Sequence, residues 1–584
     1  MSWVKRTFKL LALVGLLGWL DAAPVAAGEL ELEVVAMLSE GSLPHPEADV
    51  FPTMEAAGWH AREIFYQSIG PGGVVSFLAE GSGSFREGVW TGQPGDFDFI
   101  ARTQLESSPG RTFRRTIAPA MSAGHITFYG SEVSGIGNHL GIWAGPVGTE
   151  PVRLVTQGDA APGGGLFTGF DEPTKMANGA VVFIAQTDVP AGASTDEGLF
   201  VVTPTGEVEF LIRAGVASPG FPQGAFIDFF DADAHGGLVY SAFTPSGGPR
   251  NVHGIYYEAD PLDPDPQLVA KVDEVTPGAD SGAFWFIGPQ AIGEDGSVYI
   301  FAQDDGKVNT PASFRAVWKW RDGRVVNIVR GETTAPGTGG QNFRSLGLSP
   351  AFDGPICDAH GRIGVYGTDS LDRFGIWFGD ENGVKLLALE ELQAPGTENS
   401  FEHLDPPAVG PSGHVAFHST MVRPDGGRLA GGGIFAADID GRVMKVVEEG
   451  DELFLRGKMR TVDRVALHDG QGRYAYRERP LNADGQLVFT VLTTDQFCFL
   501  LRVQIPFPES GRDAELIRDG AVTLLAVESR VGYRYQLEAS GDLTTWEAVG
   551  DPVDGTGDEL LFDCTPPEEE TQRRFCRISI APLR

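Results

Sequence analysis

Gly179-Ala180-Val181-Val182-Phe183 is one of eight copies of a short phrase: a glycine, a hydrophobic residue two places on and another at four. The glycines are Gly73, Gly124, Gly179, Gly236, Gly296, Gly361, Gly413 and Gly485, separated by 51, 55, 57, 60, 65, 52 and 72 residues. Apolar residues on every second position mark a half-buried strand. Self-similarity at this spacing marks an array of small sheets rather than one large core.

Each unit carries more than the phrase. A variable loop leads to a glycine, an aliphatic residue and an aromatic, as in Gly141-Ile142-Trp143, Gly198-Leu199-Phe200, Gly375-Ile376-Trp377 and Gly433-Ile434-Phe435. A third apolar run follows, then a turn of the Ala-Pro-Gly type and an aromatic such as Phe167, Phe284, Phe343 or Phe401. A fourth extended segment leads into the next phrase. Four short strands per unit, joined by Gly/Pro turns and repeated radially, describe the blades of a β-propeller. The fold class expected is therefore all-β, a β-propeller of eight blades, or seven if one unit is irregular. Trp143 and Trp377 are expected between blades, where an aromatic fills the wedge.

The ends of the array suggest closure. Leu30-Glu31-Leu32-Glu33-Val34-Val35 reads as the outer strand of a blade and is expected to join the last unit's sheet, leaving no open edge. The propeller is expected over residues 28–505 and a linker over 506–512. A small β-sandwich of about 70 residues is expected over 513–584, where the composition shifts.

The chain has 584 residues, 42% of them hydrophobic, with 78 glycines and 39 prolines, a composition suited to many turns and short strands. Its net charge of −35 repels phosphate backbones, and with no basic patch to oppose that charge a nucleic-acid partner is not expected. Lys5, Arg6 and Lys9 precede the apolar run Leu10 to Leu20, with small residues Val25-Ala26-Ala27 behind it. That is the layout of a secretory signal peptide over residues 1–27, with cleavage expected between Ala27 and Gly28. No transmembrane span is expected after its removal, so the mature protein is expected to be secreted, periplasmic or extracellular. Four cysteines are too few for a disulfide framework. Cys564 and Cys576, in flanking strand-like runs, are candidates for one bond across a hairpin, and Cys357 and Cys498 read as free thiols.

The phrase resembles that of exported bacterial proteins built from tandem NxxGxxAF repeats. Leu481-Asn482-Ala483-Asp484-Gly485-Gln486-Leu487-Val488-Phe489 matches best, and Gly413-His414-Val415-Ala416-Phe417 carries the same ending. Only Asn482 occupies the asparagine position, where the other units place Gly70, Met121, Met176, Asp233, Gly293, Asp358 and Gly410. Tyr535 through Trp546 is similar to a YxLExSxDLxxW signature of small modules appended to secreted proteins. The resemblance implies an exported repeat protein and brings no catalytic residues with it.

The sequence contains no G-x-S-x-G elbow, no phosphate loop, no H-E-x-x-H and no C-x-x-C. No catalytic, cofactor-binding or metal-ligating residue is assigned. His60 and Glu63 are three apart but fall where a strand is expected. His414 and His418 lie on one side of a strand without a third ligand. Calcium is the one cofactor considered, at Asp260-Pro261-Leu262-Asp263-Pro264-Asp265 and at Asp438-Ile439-Asp440-Gly441. Prolines oppose the first, and the second reads better as a hairpin turn. Recognition is expected in the variable loops 185–197, 242–253, 302–315 and 418–432, where Arg250, His253, Asp304, Asp305, Arg315 and Arg423 could line one face. The function expected is non-catalytic binding of an extracellular glycan or protein. The alternative is a polysaccharide-active glycosidase or lyase with its site in the propeller channel.

Overall fold

The computed structural model describes residues 30, 32–39, 61–81, 87–93, 96–102, 106–108, 111–122, 124–134, 137–147, 149–170, 174–175, 179–188, 196–213, 226–232, 236–244, 252–274, 283–293, 296–304, 315–346, 356–358, 361–467, 480–506, 515–519, 522–529, 533–540, 547–554, 559–565 and 575–582. The leader with Ala27 and Gly28, His60, Arg250, Asp305 and most of the linker lie outside them.

Eight antiparallel sheets make up an eight-bladed β-propeller. Blade 4 shows the plan: strand A is Phe226–Ala232, B is Leu238–Thr244, C is Val252–Glu258 and D is Gln267–Lys271, paired in that order. The A strands of blades 1 to 5 are Ala61–Ile69, Arg111–Ser122, Phe167–Phe170 with Thr174–Lys175, Phe226–Ala232 and Phe284–Ile292. Those of blades 6 to 8 are Phe343–Leu346 with Ile356–Cys357, Ser400–Leu404 with Ala408–Val409, and Lys458–Ala466. The glycine phrase opens strand B, second from the channel rather than innermost. The fourth run of each sequence unit is the innermost strand of the next blade, so sequence unit and blade are offset by one strand.

The ring closes as the N-terminal run suggests. Leu32–Ser39 pairs antiparallel with Phe497–Gln504, Leu32 opposite Val503, and becomes the outer strand of blade 8. Packing closes with it, because each sheet buries one face against the blade before it. Ile142 and Val155 of blade 2 pack with Phe183 and Phe200 of blade 3. Val317 and Val329 of blade 5 pack with Val365 and Trp377 of blade 6. Val488 and Leu500 of blade 8 pack with Phe77 and Trp90 of blade 1, which completes the circuit.

The repeated aromatics and glycines have a common explanation. The last residue of the B phrase lies opposite the C-strand aromatic, and the rings stack: Phe128 on Trp143 at 5.8 Å and Phe417 on Phe435 at 5.7 Å. The aromatic that follows the Ala-Pro-Gly turn meets the C-strand ring edge-on, Phe343 on Trp377 at 4.8 Å and Phe401 on Phe435 at 5.0 Å. Each such pair adds about 0.5–1.5 kcal/mol beyond the area it buries. The ring folds back over the glycine two residues before it. A Cβ on Gly141 would stand 2.9 Å from Trp143 and 2.8 Å from the Val155 carbonyl, so no side chain fits.

The phrase glycines serve another purpose, in the turn between strands A and B. All eight have φ between 72° and 99°, a region that costs an L-residue roughly 1 kcal/mol or more. In the turn of blade 8 the Asn482 side-chain oxygen accepts from the amides of Asp484 (3.0 Å) and Gln486 (2.9 Å). Its nitrogen donates to the Gly70 carbonyl of blade 1 at 3.0 Å. Asp358 does related work in blade 6: it accepts from the Arg362 amide and pairs with the Arg362 guanidinium, which reaches the Ser412 carbonyl of blade 7 at 3.1 Å. The asparagine position thus secures its own turn and ties it to the next blade.

Beyond residue 514 two three-stranded sheets follow. One orders Glu515–Asp519, Val522–Glu528 and Glu559–Asp563; the other orders Glu547–Asp554, Tyr533–Ser540 and Phe575–Pro582. Val527 and Phe562 of the first share a hydrophobic cluster with Tyr535 and Leu537 of the second, and Ile439 from the strand C–D turn of blade 7 joins it.

Candidate functional site at the seam of blades 6 and 7

An antiparallel four-strand blade sends its B–C turns and its links to the next blade to one face, here called upper, and its A–B and C–D turns to the other. The four variable loops all join B to C and so share the upper face. His253 and Asp304 sit on strands C and B beside those loops, Arg315 begins strand C of blade 5, and exposed Arg423 lies in a turn closed by its own amide and the Gly427 carbonyl. These residues belong to blades 4, 5 and 7, and the described contacts do not draw them into one cluster.

A different set does converge, where strand A of blade 7 meets blade 6. Ser400–Leu404 and Ala408–Val409 are interrupted by Asp405-Pro406-Pro407, because two successive prolines cannot donate to the ladder. The break places Asp405 on the inner edge of the blade. Its carboxylate is 2.6 Å from Nδ1 of His418 on strand B, and its amide donates to the His418 carbonyl at 2.9 Å. Nε2 of His418 packs on Gly432, where a Cβ would collide with it. His418 therefore orients Asp405 and is itself covered.

His403, more than half exposed, stands 3.7 Å from the other oxygen of Asp405 and 4.0 Å from Glu390 of blade 6. Glu390 accepts from the Phe374 amide at 2.9 Å, and burial pushes its carboxyl above the ordinary range. Phe374 meets the His403 ring edge-on at 5.9 Å and stacks on Tyr366 at 5.4 Å. The Tyr366 hydroxyl donates to the Leu404 carbonyl at 2.9 Å, bridging the blades. Burial and the nearby Asp405 and Glu390 charges push it up. The result is an exposed imidazole and a half-exposed carboxylate on a braced aromatic and acidic floor. Such a set can exchange hydrogen bonds with a polar ligand and hold a positive charge.

Of these residues the sequence pointed to His418 alone, paired with His414. The two are not partners. His414 is buried just before the strand, bonded to Ser412 Oγ at 2.8 Å and to the backbone of Pro506. Asp405 carried a signal in its two prolines; His403 and Glu390 carried none, being joined only by the packing of two blades.

Glu63 lies on strand A of blade 1. The acidic loops are engaged as turns. Asp438 accepts from the Asp440 and Arg442 amides, both at 2.9 Å, and Asp260 accepts from the Leu262 amide at 3.0 Å. Among the described residues no group of three or more His, Cys, Asp or Glu side chains is placed to hold a metal ion. Cys564 follows a strand of one C-terminal sheet and Cys576 pairs with Ala539 in the other, so the hairpin expected to bring them together is not formed. Among the described residues no helix is long and apolar enough to cross a membrane.

Comparison with known proteins places this architecture in a family. The model of a family of unknown function, DUF7453, matches residues 56–261, 234–383 and 367–509, and the chain belongs to that family. No curated protein matches the chain. Among solved structures it is similar to the β-propeller domain of the trilobed protease from Pyrococcus furiosus, with 10% identity, a TM-score of 0.35, and coverage of 68% of this chain and 100% of that one. It is also similar to a prolyl endopeptidase (12%, TM-score 0.36, 71% of this chain and 54% of that one). A third is the α-L-arabinanase of Penicillium chrysogenum (13%, TM-score 0.28, 60% and 99%).

Proposed function

We propose that this is an exported recognition protein that binds an extracellular glycan or protein at the seam of blades 6 and 7. One observation carries the reading: His403 is exposed and Asp405 half-exposed, while the groups beside them are held in place, His418 by Asp405, Glu390 by the Phe374 amide, and Tyr366 by its bond across the seam to the Leu404 carbonyl. Exposed donors and acceptors on a rigid floor need little ordering when a ligand arrives, which favours binding. The C-terminal sheets fit an accessory module in this reading.

Glycan and protein arrays probed with the wild-type chain, His403→Ala and Asp405→Asn test it. Wild type is expected to bind at least one probe, and each variant to lose about tenfold or more of that affinity. Background binding everywhere, or binding indifferent to both substitutions, overturns it. The Asp405–His418 pair supports a second reading as a polysaccharide-active enzyme, since a carboxylate that orients an imidazole also suits acid–base chemistry. Turnover of a polysaccharide that Asp405→Asn abolishes would favour that reading over binding alone.

A further inference from the structure

The two three-stranded sheets beyond residue 514 share one apolar interior, and alternation along their strands decides which residues enter it. From Leu561 to Cys564 the chain alternates: Leu561 and Asp563 are exposed, Phe562 and Cys564 buried. Cys564 thus continues the inward side of its strand, held there by its amide, which donates to the Thr523 carbonyl at 2.8 Å. In the other sheet Cys576 lies opposite Ala539 and Ile578 opposite Leu537. Cys576 and Ile578 both pack against the cluster that contains Cys564.

The connections set the level at which each cysteine enters. Val522–Glu528 leads into Tyr533–Ser540 through residues 529–532, so Glu528 and Tyr533 lie at one end of the interior and Thr523 and Ala539 at the other. Cys564 is beside Thr523 and Cys576 beside Ala539, which brings both cysteines to that second end. The chain path agrees, leaving the first sheet at Asp563 and entering the second at Phe575. One layer deeper, Leu525 and Phe562 of one sheet share the cluster with Leu537 and Ile578 of the other. At the cysteine end the corresponding positions are Thr523, Cys564, Ala539 and Cys576, all small side chains that put little bulk between the sheets.

We propose that Cys564 and Cys576 are an oxidation site, joined by a disulfide-bearing oxidant into a bond that clamps the two C-terminal sheets together. The two sulfurs are not bonded to each other in this structure. Cys576, the less buried, attacks the oxidant as a thiolate, releasing one thiol and forming a mixed disulfide. The Cys564 thiolate then attacks the Cys576 sulfur, forming the Sγ–Sγ bond and releasing the second thiol. Two protons and two electrons leave the pair, and the oxidant's S–S bond becomes two thiols. The bond lies far along the chain from the ligand site proposed at blades 6 and 7 and does not depend on it.

The test equilibrates the full chain in glutathione redox buffers, then quenches it in acid, unfolds it, alkylates it without reduction and maps it by mass spectrometry. Peptides carrying Cys564 and Cys576 are expected joined and two hydrogens lighter than the separate thiols, with Cys357 and Cys498 alkylated. Cys564→Ser and Cys576→Ser are each expected to abolish the joined species. Because the folded sheets hold the pair, its equilibrium constant for oxidation is expected to be roughly tenfold or more higher in the native chain than in chain unfolded by urea. Alkylation of all four cysteines, glutathione retained on one cysteine with no joined peptide, or a native constant no higher than the urea value would each overturn the proposal.

Discussion

Gln67, on the first innermost strand, donates from Nε2 to the carbonyl of Leu467 at the end of the last one, 2.8 Å away and 400 residues later in the chain. Both residues are buried, and the bond crosses the seam where blade 8 meets blade 1. Closure therefore rests on the innermost strands as well as on the N-terminal strand at the rim.

Gln67→Ala would leave a buried carbonyl without its donor, a loss of about 1–3 kcal/mol. Gln504→Ala is the control, since the Gln504 bond to the Asp484 carbonyl is exposed to water. Urea unfolding is expected to show a clear drop in midpoint for the first and a change within about 0.5 kcal/mol for the second.

Two glycines of blade 2 should respond differently to alanine. At Gly141 the new methyl strikes Trp143 and the Val155 carbonyl, and overpacking of this kind costs about 1–3 kcal/mol. At Gly124 nothing lies within 4 Å, and the penalty is that of φ at 73°, about 1–2 kcal/mol. Only Gly141→Ala is expected to disturb the near-ultraviolet signal of Trp143.

Glu258 is buried in blade 4, accepting from the Tyr240 hydroxyl at 3.1 Å and the Asp265 amide at 2.8 Å, and burial pushes its carboxyl up to about 7. The folded protein holds this proton where the unfolded chain has released it. The associated stability is present below the ordinary carboxyl value near 4.5 and is lost as pH rises towards 7. Glu258→Gln cannot ionise. Its stability relative to wild type is expected to grow by about 2–3 kcal/mol between pH 4.5 and 7.5, read from denaturant midpoints across that range.

His414 has the opposite sign. Burial, with the Arg362 charge beside it, holds its imidazole down at about 4 against an ordinary 6.5. Its contribution is present above pH 6.5 and lost as pH falls towards 4. His414→Gln is expected to remove up to about 3 kcal/mol of that acid sensitivity, seen as a flatter stability profile between pH 6.5 and 4.

Local sequence made the blades readable because their signals are short-range. The phrase Gly124 to Phe128 and the triplet Gly141-Ile142-Trp143 each occupy a few residues, and one strand register makes Phe128 and Trp143 partners. The sequence unit was offset by one strand for a related reason. Phe167 follows strand D of blade 2 along the chain, but its ring packs against Phe200 of blade 3. The site at blades 6 and 7 was mostly illegible: His403 and Glu390 are 13 residues apart on different blades, and no periodicity links them.

The sequence by itself determined the all-β class, a propeller of eight or seven blades and the pairing of the N-terminal run with the last blade; the structure decided for eight. Alternation, turn glycines and an unmatched strand are properties of short segments, and the need to cover an open edge does the rest. Tertiary structure alone decided what those blades bring together. The prolines break strand A of blade 7 in a way the sequence could suggest. That Asp405 then meets His418 and His403, with Glu390 and Tyr366 facing them from the next blade, depends on how two sheets pack side by side. The same holds for Cys564 and Cys576. Alternation turns each inward on its own strand, and only the packing of two sheets gathers them into one interior.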